Sequence, residues 1–279
     1  LHCFVEQRQV PDVLAAISGL RRAGIRHLAV AGMVNPHLDP GIARLLIPDF
    51  VELSCNPLCH EVEELLMVTE QSDQAVLPFV DTRCLWGEVP QLLKTYCRRG
   101  FTGIKGIYLA DDGNDIGVPG VPELFGITVE QYHQREWEIF AFAQANDLPV
   151  LYHMDARRYG EVMRALLEDF PMVRVNFPHF GISRKALGGI LDRYPNVYTD
   201  MANMLSHMQR DRESYRDFIM HYPDRVCFAS DAFLSRTERV FDYLRLVKEL
   251  ALPLDVEVQL LSGNARSYLG SVLPVCSGS

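Results

Sequence analysis

Three side chains that can bind a metal ion or transfer a proton stand where short apolar segments of this chain end. His153, His179 and Asp231 each follow a run of four to six mainly apolar residues. Imidazole nitrogens and carboxylate oxygens bind divalent metals, and both groups serve as general acids or bases. Alone, each has a structural explanation, since an aspartate at a strand end often caps the next helix. Together, two imidazoles and a carboxylate predict one polar site.

Short apolar segments alternate with helical patterns along the chain, and these elements must position the three side chains. Such alternation is typical of βαβ units in a parallel sheet. Thr128, with Gln131 three residues on, forms a capping box that predicts the start of a helix. We predict further helices over 13–20, 158–170, 183–194, 211–221 and 237–250. We predict strands over 26–31, 75–80, 101–109, 148–153, 173–177, 197–200 and 226–230, with a short first strand around 1–5.

Eight strands in alternation with helices favour an α/β fold of the (β/α)₈ TIM-barrel type. An open, doubly wound sheet is the competing fold, but it usually has a glycine-rich phosphate turn after its first strand, and none is present. The 279 residues contain no linker or repeat, so we expect a single domain over 1–279. In a barrel, the carboxyl ends of all strands converge on one face, where active sites lie.

The composition excludes several classes of partner. Acidic residues outnumber basic ones by 36 to 27, the formal net charge is −9, and no basic cluster is present. Nucleic-acid surfaces are basic at least locally, and an acidic field disfavours anionic membranes, so we expect neither partner. The sequence shows no apolar stretch of membrane-spanning length and no signal peptide. We expect a cytoplasmic protein with a small-molecule substrate, and a homodimer is the commonest assembly.

The seven cysteines are interpreted as free thiols in a reducing compartment, because their number is odd and a chain of this size needs no disulfides. Cys55, Cys59 and His60 lie close together in the sequence. No second pair of ligands follows at the spacing of a zinc finger, so no metal clip is predicted there.

Five short motifs, in the same order along the chain, resemble the amidohydrolase superfamily. They are "GFTGIKG" from Gly100, "LPVLY" before His153, "PHFG" around His179, "FASDAF" around Asp231 and "GNARSYLG" from Gly263. The resemblance is strongest to the amidohydrolase-related branch, which includes metal-dependent hydrolases and non-oxidative decarboxylases. It covers nearly the whole chain and implies a barrel with its site at the strand ends.

The resemblance also implies roles for individual residues. In the family, a His-x-His pair on the first strand supplies two metal ligands; here His2 matches the first histidine and Phe4 replaces the second. One divalent ion, with zinc as the expected metal, would bind His2, His153 and Asp231. Asp231 would also accept a proton, and His179 would be a catalytic histidine. Phenylalanine cannot coordinate a cation, so the substitution at Phe4 weakens the predicted metal site.

Three hypotheses for the function follow. The first is a metal-dependent hydrolase, in which a metal-activated water attacks a small lactone, ester or amide and His179 polarises the carbonyl group. The second is a non-oxidative decarboxylase of a small carboxylic acid, with Arg157 and Arg158 near His153 as anion-binding candidates. The third is a barrel that has lost catalysis and binds a ligand or partner, which the residue at Phe4 favours.

Two other features bear on the site. Lys105 is interpreted as a cation that faces the barrel interior or the substrate, with a structural ion pair as the alternative. Residues 111–127 form a loop after a strand, and such loops lie over the site of a barrel. The acidic run 111–115 in this loop lacks the spacing and the terminal glutamate of a calcium loop, so no site is predicted there.

Overall fold

In the computed structural model, which describes residues 1–49, 51 and 58–274, seven parallel strands form one sheet in the order of the sequence. The sheet is buried on both faces, as expected when helices cover a parallel sheet; β2 and β3, for example, are buried at every residue. The strands are β1 (Leu28–Met33), β2 (Val76–Asp81), β3 (Gly103–Ile107), β4 (Val150–His153), β5 (Val175–Phe177), β6 (Val197–Asp200) and β7 (Val226–Cys227).

Helices connect the strands and pack on the sheet, with α3 against β1 and β2, and α8 against β6. None of the helices in the described ranges is long and apolar enough to cross a membrane. The helices are α1 (Val10–Arg22), α2 (Pro40–Leu45), α3 (Val62–Gln71), α4 (Val89–Arg99), α5 (Val121–Phe125), α6 (Val129–Ala145), α7 (Ala156–Asp169), α8 (Arg184–Leu191), α9 (Leu205–Arg210), α10 (Arg212–His221), α11 (Glu238–Glu249), α12 (Leu254–Val258) and α13 (Asn264–Leu269).

The register of the sheet aligns the strand ends that carry polar residues. Asp81 at the end of β2 lies beside Lys105 of β3, and Ile107 lies beside His153 at the end of β4. Gly106, between them, is required by packing, because a Cβ atom there would lie 2.4 Å from the ring of Tyr152. The predicted α/β barrel fold is therefore confirmed, with its polar strand ends on one edge.

The predicted first strand over 1–5 is not formed as a strand. His2 alone makes parallel bridges, to Ala31 of β1 and to Phe233 after β7. The segment is held by backbone bonds, including one of 2.8 Å from the Cys3 N–H to the Ala31 carbonyl. Pairing stops there because Phe4 adopts a φ of 40°, which is outside the extended region. Within the described residues, the backbone of His2 thus links β1 to the segment that follows β7.

Five cysteines in the described part of the chain carry free thiols, as predicted, and four of them are buried. Burial raises the pKa of the Cys3 and Cys227 thiols well above the ordinary value, which keeps them protonated and unreactive. The predictions for Cys55 and Cys276 lie outside the described residues.

The predicted capping box at the start of α6 is present and gives a first test of the fold. The Thr128 hydroxyl accepts the Gln131 N–H at 3.2 Å, and the Gln131 side chain accepts the Thr128 N–H at 2.9 Å. Thr128→Ala should lower the free energy of unfolding by about 1 kcal/mol, since the cap bond is lost. Urea denaturation measures this. Thr95→Ala, at an exposed position inside α4, is the control and should cause no loss; equal effects would contradict the capping role.

Candidate active site

The structure brings His153, His179 and Asp231 to one volume at the carboxyl ends of the strands. The ring centroids of His153 and His179 are 5.1 Å apart, and the rings meet edge-on. His179 lies close enough to act electrostatically on the pKa of both His153 and Asp231, so the three groups are neighbours. His2 joins them through its bridge position beside Phe233.

His2 and Asp231 form a direct hydrogen bond of 3.0 Å between Nε2 and Oδ1. Burial opposes ionisation of Asp231, but the hydrogen bond with His2 and the neighbouring imidazoles of His2 and His179 outweigh it and hold the pKa of Asp231 well below its usual range. Burial lowers the pKa of His2. Because an ionised carboxylate only accepts hydrogen bonds, the neutral His2 ring must donate from Nε2.

Phe4 covers the other side of the His2 ring. Their ring centroids are 5.5 Å apart and the planes differ by 17°, so the rings are stacked. Phe233 packs edge-on against Phe4 with a centroid separation of 5.2 Å. The position that resembles a second ligand histidine is thus part of an apolar wall beside His2.

His153 is bonded to Asp115, a residue that the sequence analysis did not select. The distance between His153 Nε2 and Asp115 Oδ2 is 2.9 Å. Burial lowers the pKa of His153 to about 4, so the ring is neutral at pH 7 and donates from Nε2. Although burial opposes it, the bond from His153 lowers the pKa of Asp115. In the sequence, the feature that points to Asp115 is the acidic run 111–115. Comparing this run with a calcium loop does not predict that Asp115 bonds a histidine.

The loop that carries Asp115 is held by its own side chains. The buried Asn114 amide donates to the Asp111 carbonyl at 2.8 Å and to the Val118 carbonyl at 2.7 Å. The Asp111 carboxylate in turn accepts the Tyr159 hydroxyl at 3.1 Å. These bonds fix the loop on both sides of Asp115, so that its carboxylate is delivered to His153.

His179 is oriented by a different set of contacts. Its backbone N–H donates to Asp200 Oδ1 at 3.1 Å, and its Nδ1 lies 2.7 Å from the Ala202 carbonyl. A carbonyl oxygen only accepts, so Nδ1 carries a proton, and the uncharged tautomer with this hydrogen bond has its lone pair on Nε2. Among the described residues, no hydrogen bond involves this Nε2. Residues 179–182 all have positive φ angles, which turn the chain sharply behind the ring.

Lys105 is buried at the same strand ends, with 5% of its surface exposed. Its ammonium group donates to the Gly106 carbonyl at 2.9 Å. Burial lowers its pKa to about 8, while the nearby carboxylates, Asp81 and then Asp231, act in the opposite direction. The side chain is therefore a mostly protonated cation at neutral pH, and its substrate-facing role stays a prediction.

The two arginines near His153 are engaged elsewhere. Arg157 is largely exposed and binds Asp155 through both its Nε and Nη2 atoms, at 3.0 and 2.7 Å. Arg158 is bonded to Asp111 at 2.9 Å. Both arginines therefore form ion pairs with carboxylates of this chain.

A cleft of about 730 Å³ lies between α8 and α10, and His179 belongs to its lining. Arg184 also lines it, with its guanidinium carbon 3.6 Å from the centre of the Tyr215 ring. His179 is therefore shared by the polar site and by a space large enough for a small molecule.

Glu61 supports the wall beside His2 and titrates at an unusual pH. Its carboxylate accepts the Met33 N–H at 2.9 Å, and its own N–H donates to the Met33 carbonyl at 2.7 Å. Burial raises the pKa of Glu61 to about 8, although bonds from the Met33 and Phe4 backbone act against this. The folded chain therefore keeps a proton that the unfolded chain loses near pH 4.5.

This shift predicts a pH-dependent loss of stability. Between about pH 4.5 and pH 8 only the unfolded state releases the Glu61 proton, so stability falls as pH rises, by at most about 1.4 kcal/mol per pH unit. Glu61→Gln removes this contribution, and its stability relative to the unmodified chain should improve from pH 5 to pH 8. Urea denaturation at both pH values measures the difference. The exposed Glu70→Gln is the control, and parallel curves for Glu61→Gln would refute the shift.

The predicted zinc ligands do not form a complete set. Within the described residues, no group of three or more His, Cys, Asp or Glu side chains is arranged to hold a metal ion. His2 and His153 point their Nε2–H groups at separate carboxylates, and Phe4 offers no donor atom. The residues present do not fit the predicted three-ligand centre, so the steps below are assigned to side chains only.

Comparison with known proteins agrees with the fold. The sequence model described as Amidohydrolase matches residues 66–270. No curated protein matches the chain in sequence.

Several solved structures are similar. An uncharacterized TIM-barrel protein from Bordetella bronchiseptica has 15% identity and a TM-score of 0.58, covering 88% of this chain and 99% of its own. A provisionally named metal-dependent hydrolase from Lactobacillus casei has 14% identity and a TM-score of 0.56, covering 88% and 75%. A provisionally named 2-pyrone-4,6-dicarboxylic acid hydrolase from Pseudomonas putida has 15% identity and a TM-score of 0.52, covering 86% and 97%. At these identities the likeness shows the shared fold.

Proposed function

Because this chain belongs to the amidohydrolase family, we propose that it is a hydrolase that cleaves a small-molecule ester, lactone or amide at the strand ends around His179. Family membership supports an enzyme of the hydrolase or decarboxylase type. The observation that favours hydrolysis is that Nε2 of His179 has no hydrogen bond from the described part of the chain, while the Ala202 carbonyl holds the ring at Nδ1. A fixed imidazole with an available lone pair is suited to general-base catalysis near neutral pH.

In the proposed reaction, His179 Nε2 takes a proton from a water molecule as the water oxygen bonds to the substrate carbonyl carbon. The negative charge of Asp231 stabilises the resulting imidazolium. The imidazolium then returns the proton to the leaving oxygen or nitrogen as the acyl bond breaks, which restores the neutral ring. Asp231, the proton acceptor that the family resemblance implies, is a weaker base than His179 in this proposal, because its pKa lies well below its usual range.

Lys105 is proposed to stabilise the oxyanion. Within the described residues, its buried ammonium group has one hydrogen bond, to the Gly106 carbonyl, and an ammonium group can donate three. A fixed cation in a buried site stabilises charge that develops in the transition state more strongly than it would in water. The sequence analysis interprets Lys105 as a cation that faces the barrel interior or the substrate, and the proposed role specifies the substrate atom that it would contact.

A divalent metal remains the family expectation, since one similar structure is named as a metal-dependent hydrolase. Zinc bound by His2, His153 and Asp231 would lower the pKa of a bound water. The donor set described above does not support that centre in this chain, so zinc is not part of the proposed mechanism.

Decarboxylation is the weaker alternative. The two cations proposed to hold a carboxylate, Arg157 and Arg158, are engaged by Asp155 and Asp111. No other observation favours this reaction over hydrolysis. Lactones are the first class to test, because another similar structure is named for the hydrolysis of a pyrone, which is a cyclic ester.

The test is a substrate panel of small lactones, aryl esters and amides, with acid release followed in a pH-stat. Each assay is run with a chelator and again with added zinc, for the unmodified chain and for His179→Asn. Turnover by the unmodified chain that the variant lacks would support the proposal. Carbon dioxide release from aromatic acids without hydrolysis would assign a decarboxylase instead. No turnover under any condition would leave a barrel that only binds a ligand, and the proposal would be wrong.

A further inference from the structure

We propose that this site holds no resident metal ion, because two internal histidine–carboxylate hydrogen bonds and the Lys105 cation occupy its place. Asp115 supplies the second of these two bonds. The inference concerns the same site as the proposed function, but it does not depend on which bond is hydrolysed.

The ring nitrogens of His2 and His153 that face the site are already engaged in hydrogen bonds. A histidine nitrogen binds a metal through its lone pair, so it must not carry a proton. Nε2 of His2 faces Asp231 at 3.0 Å, and Nε2 of His153 faces Asp115 at 2.9 Å. Since each carboxylate accepts, both nitrogens carry protons in this arrangement. Each carboxylate is likewise occupied by its own histidine rather than shared in one ligand set.

The hydrogen bond between His153 and Asp115 is largely buried and is supported by an ordered loop. His153 and Asp115 side chains are only 9% and 18% exposed. The loop between β3 and α5 is fixed by Asn114, whose side-chain amide bonds two backbone carbonyls, and a second carboxylate, Asp112, accepts the Gly120 N–H at 2.8 Å. Removing Asp115 from His153 would disrupt an ordered loop, so a metal would have to compete with a preformed partner.

Phe4 and Phe233 form an apolar surface beside His2. Its ring stacks on His2, and Phe233 closes the edge of the pair. An apolar wall offers no ligand and raises the cost of bringing a hydrated cation beside His2. The left-handed φ of 40° at Phe4 is a conformation that histidine adopts more readily than most residues, so the backbone itself does not exclude a ligand there.

The positive charge of Lys105 also disfavours a metal ion at this site. Lys105 already places a positive charge where the carboxylates of Asp81, Asp200 and Asp231 act on it. A divalent ion added to the same volume would be repelled by the ammonium group. The internal cation therefore satisfies carboxylates that would otherwise favour an ion.

The experiment measures zinc affinity directly, by competition with a chromophoric chelator, after the folded chain has been dialysed against excess chelator. The unmodified chain should retain no stoichiometric zinc and should compete poorly. The double variant Phe4→His with Asp115→Asn offers a further imidazole and frees His153, and it should bind one zinc ion per chain. We expect an affinity gain of about 100-fold or more, since even an outer partner of a metal site changes affinity by roughly 10–100-fold.

The matched control is Phe4→Asn with Asp115→Asn, because asparagine also tolerates the left-handed backbone but is a poor zinc ligand. This control should bind zinc no better than the unmodified chain. Near-ultraviolet circular dichroism shows whether each variant keeps its packing. If a variant does not fold, the zinc content of the unmodified chain still decides the question.

The outcomes separate this inference from the proposed function. Hydrolysis that persists in chelator, with no retained zinc, supports both. One tightly held zinc per unmodified chain overturns the inference, whether or not a substrate is hydrolysed. Equal zinc affinity in the unmodified chain and the histidine double variant also overturns it. No retained zinc and no hydrolysis of any substrate leaves the inference standing and removes the proposed function.

Discussion

His179→Asn is expected to lower kcat of the hydrolysis by between about 10²-fold and 10⁴-fold, the usual contribution of a general base. The substitution removes Nε2, the atom proposed to take the proton from water. Circular dichroism and the denaturation midpoint should stay close to those of the unmodified chain, so the loss can be assigned to chemistry. The measurement is kcat on the best substrate from the panel.

Asparagine is the informative replacement for two reasons. His179 has a φ of 58°, and asparagine is among the few residues that adopt this region easily. Its side-chain amide can also donate to the Ala202 carbonyl, which Nδ1 of His179 contacts at 2.7 Å. The local turn and its hydrogen bond are therefore kept while the base is lost.

The control for this prediction is His207→Asn, at an exposed position on α9. It should leave kcat unchanged. If His179→Asn retained most of its kcat, the proton acceptor would have to be another group, and Asp231→Asn would be the next variant to measure.

Arg135→Met is expected to lower the free energy of unfolding by about 3–5 kcal/mol, the range found when one partner of a buried ion pair is removed. Arg135 is 4% exposed, and its Nη1 bonds Glu136 Oε1 at 2.9 Å. Its Nε donates to the Leu85 carbonyl at 2.8 Å, and Nη2 donates to the Thr82 carbonyl. The substitution therefore leaves a buried carboxylate and two backbone carbonyls without these donors.

Protonation of Glu136 limits the loss of stability in Arg135→Met. Burial already raises the pKa of Glu136, and without Arg135 the carboxyl would take up a proton rather than stay charged. We therefore expect the cost of Arg135→Met to grow as pH rises. Urea denaturation at two pH values measures both the size and the trend.

Arg193→Met is the matched control for the buried pair. Arg193 bonds Glu168 at 2.6 Å on the surface, where both side chains are more than half exposed. An exposed pair contributes about 0–1 kcal/mol, so this change should be small. Similar losses for the two variants would mean that burial is not what makes the Arg135 pair important.

Much of the fold could be predicted from the sequence because it depends on local patterns. The alternation of apolar runs and helical stripes gave seven of the eight strands, and the Thr128 capping box located the start of α6. The strand predicted at 226–230 is shorter, because hydrogen bonding with β6 ends at Cys227. The strand predicted at 1–5 is lost to the positive φ of Phe4. No local sequence pattern predicts a positive φ angle at a phenylalanine.

The site was harder to predict, since its partners are distant in sequence. His153, His179 and Asp231 could be selected because strand ends of a barrel converge. Asp115 could not, because its bond to His153 depends on how a loop of irregular structure folds back over β4. The pairing of His2 with Asp231 joins residues that are 229 positions apart and requires the sheet to curl first.

His2 serves the fold with its backbone and the candidate site with its ring. Its backbone bonds the Ala232 carbonyl and the Leu234 N–H, while its Nε2 atom lies against Asp231. A side-chain substitution at His2 should therefore release Asp231 and keep the backbone bonds. A local separation of the first segment from residues 231–234 would displace the ring as well, so opening of this segment and loss of the Asp231 contact should occur together.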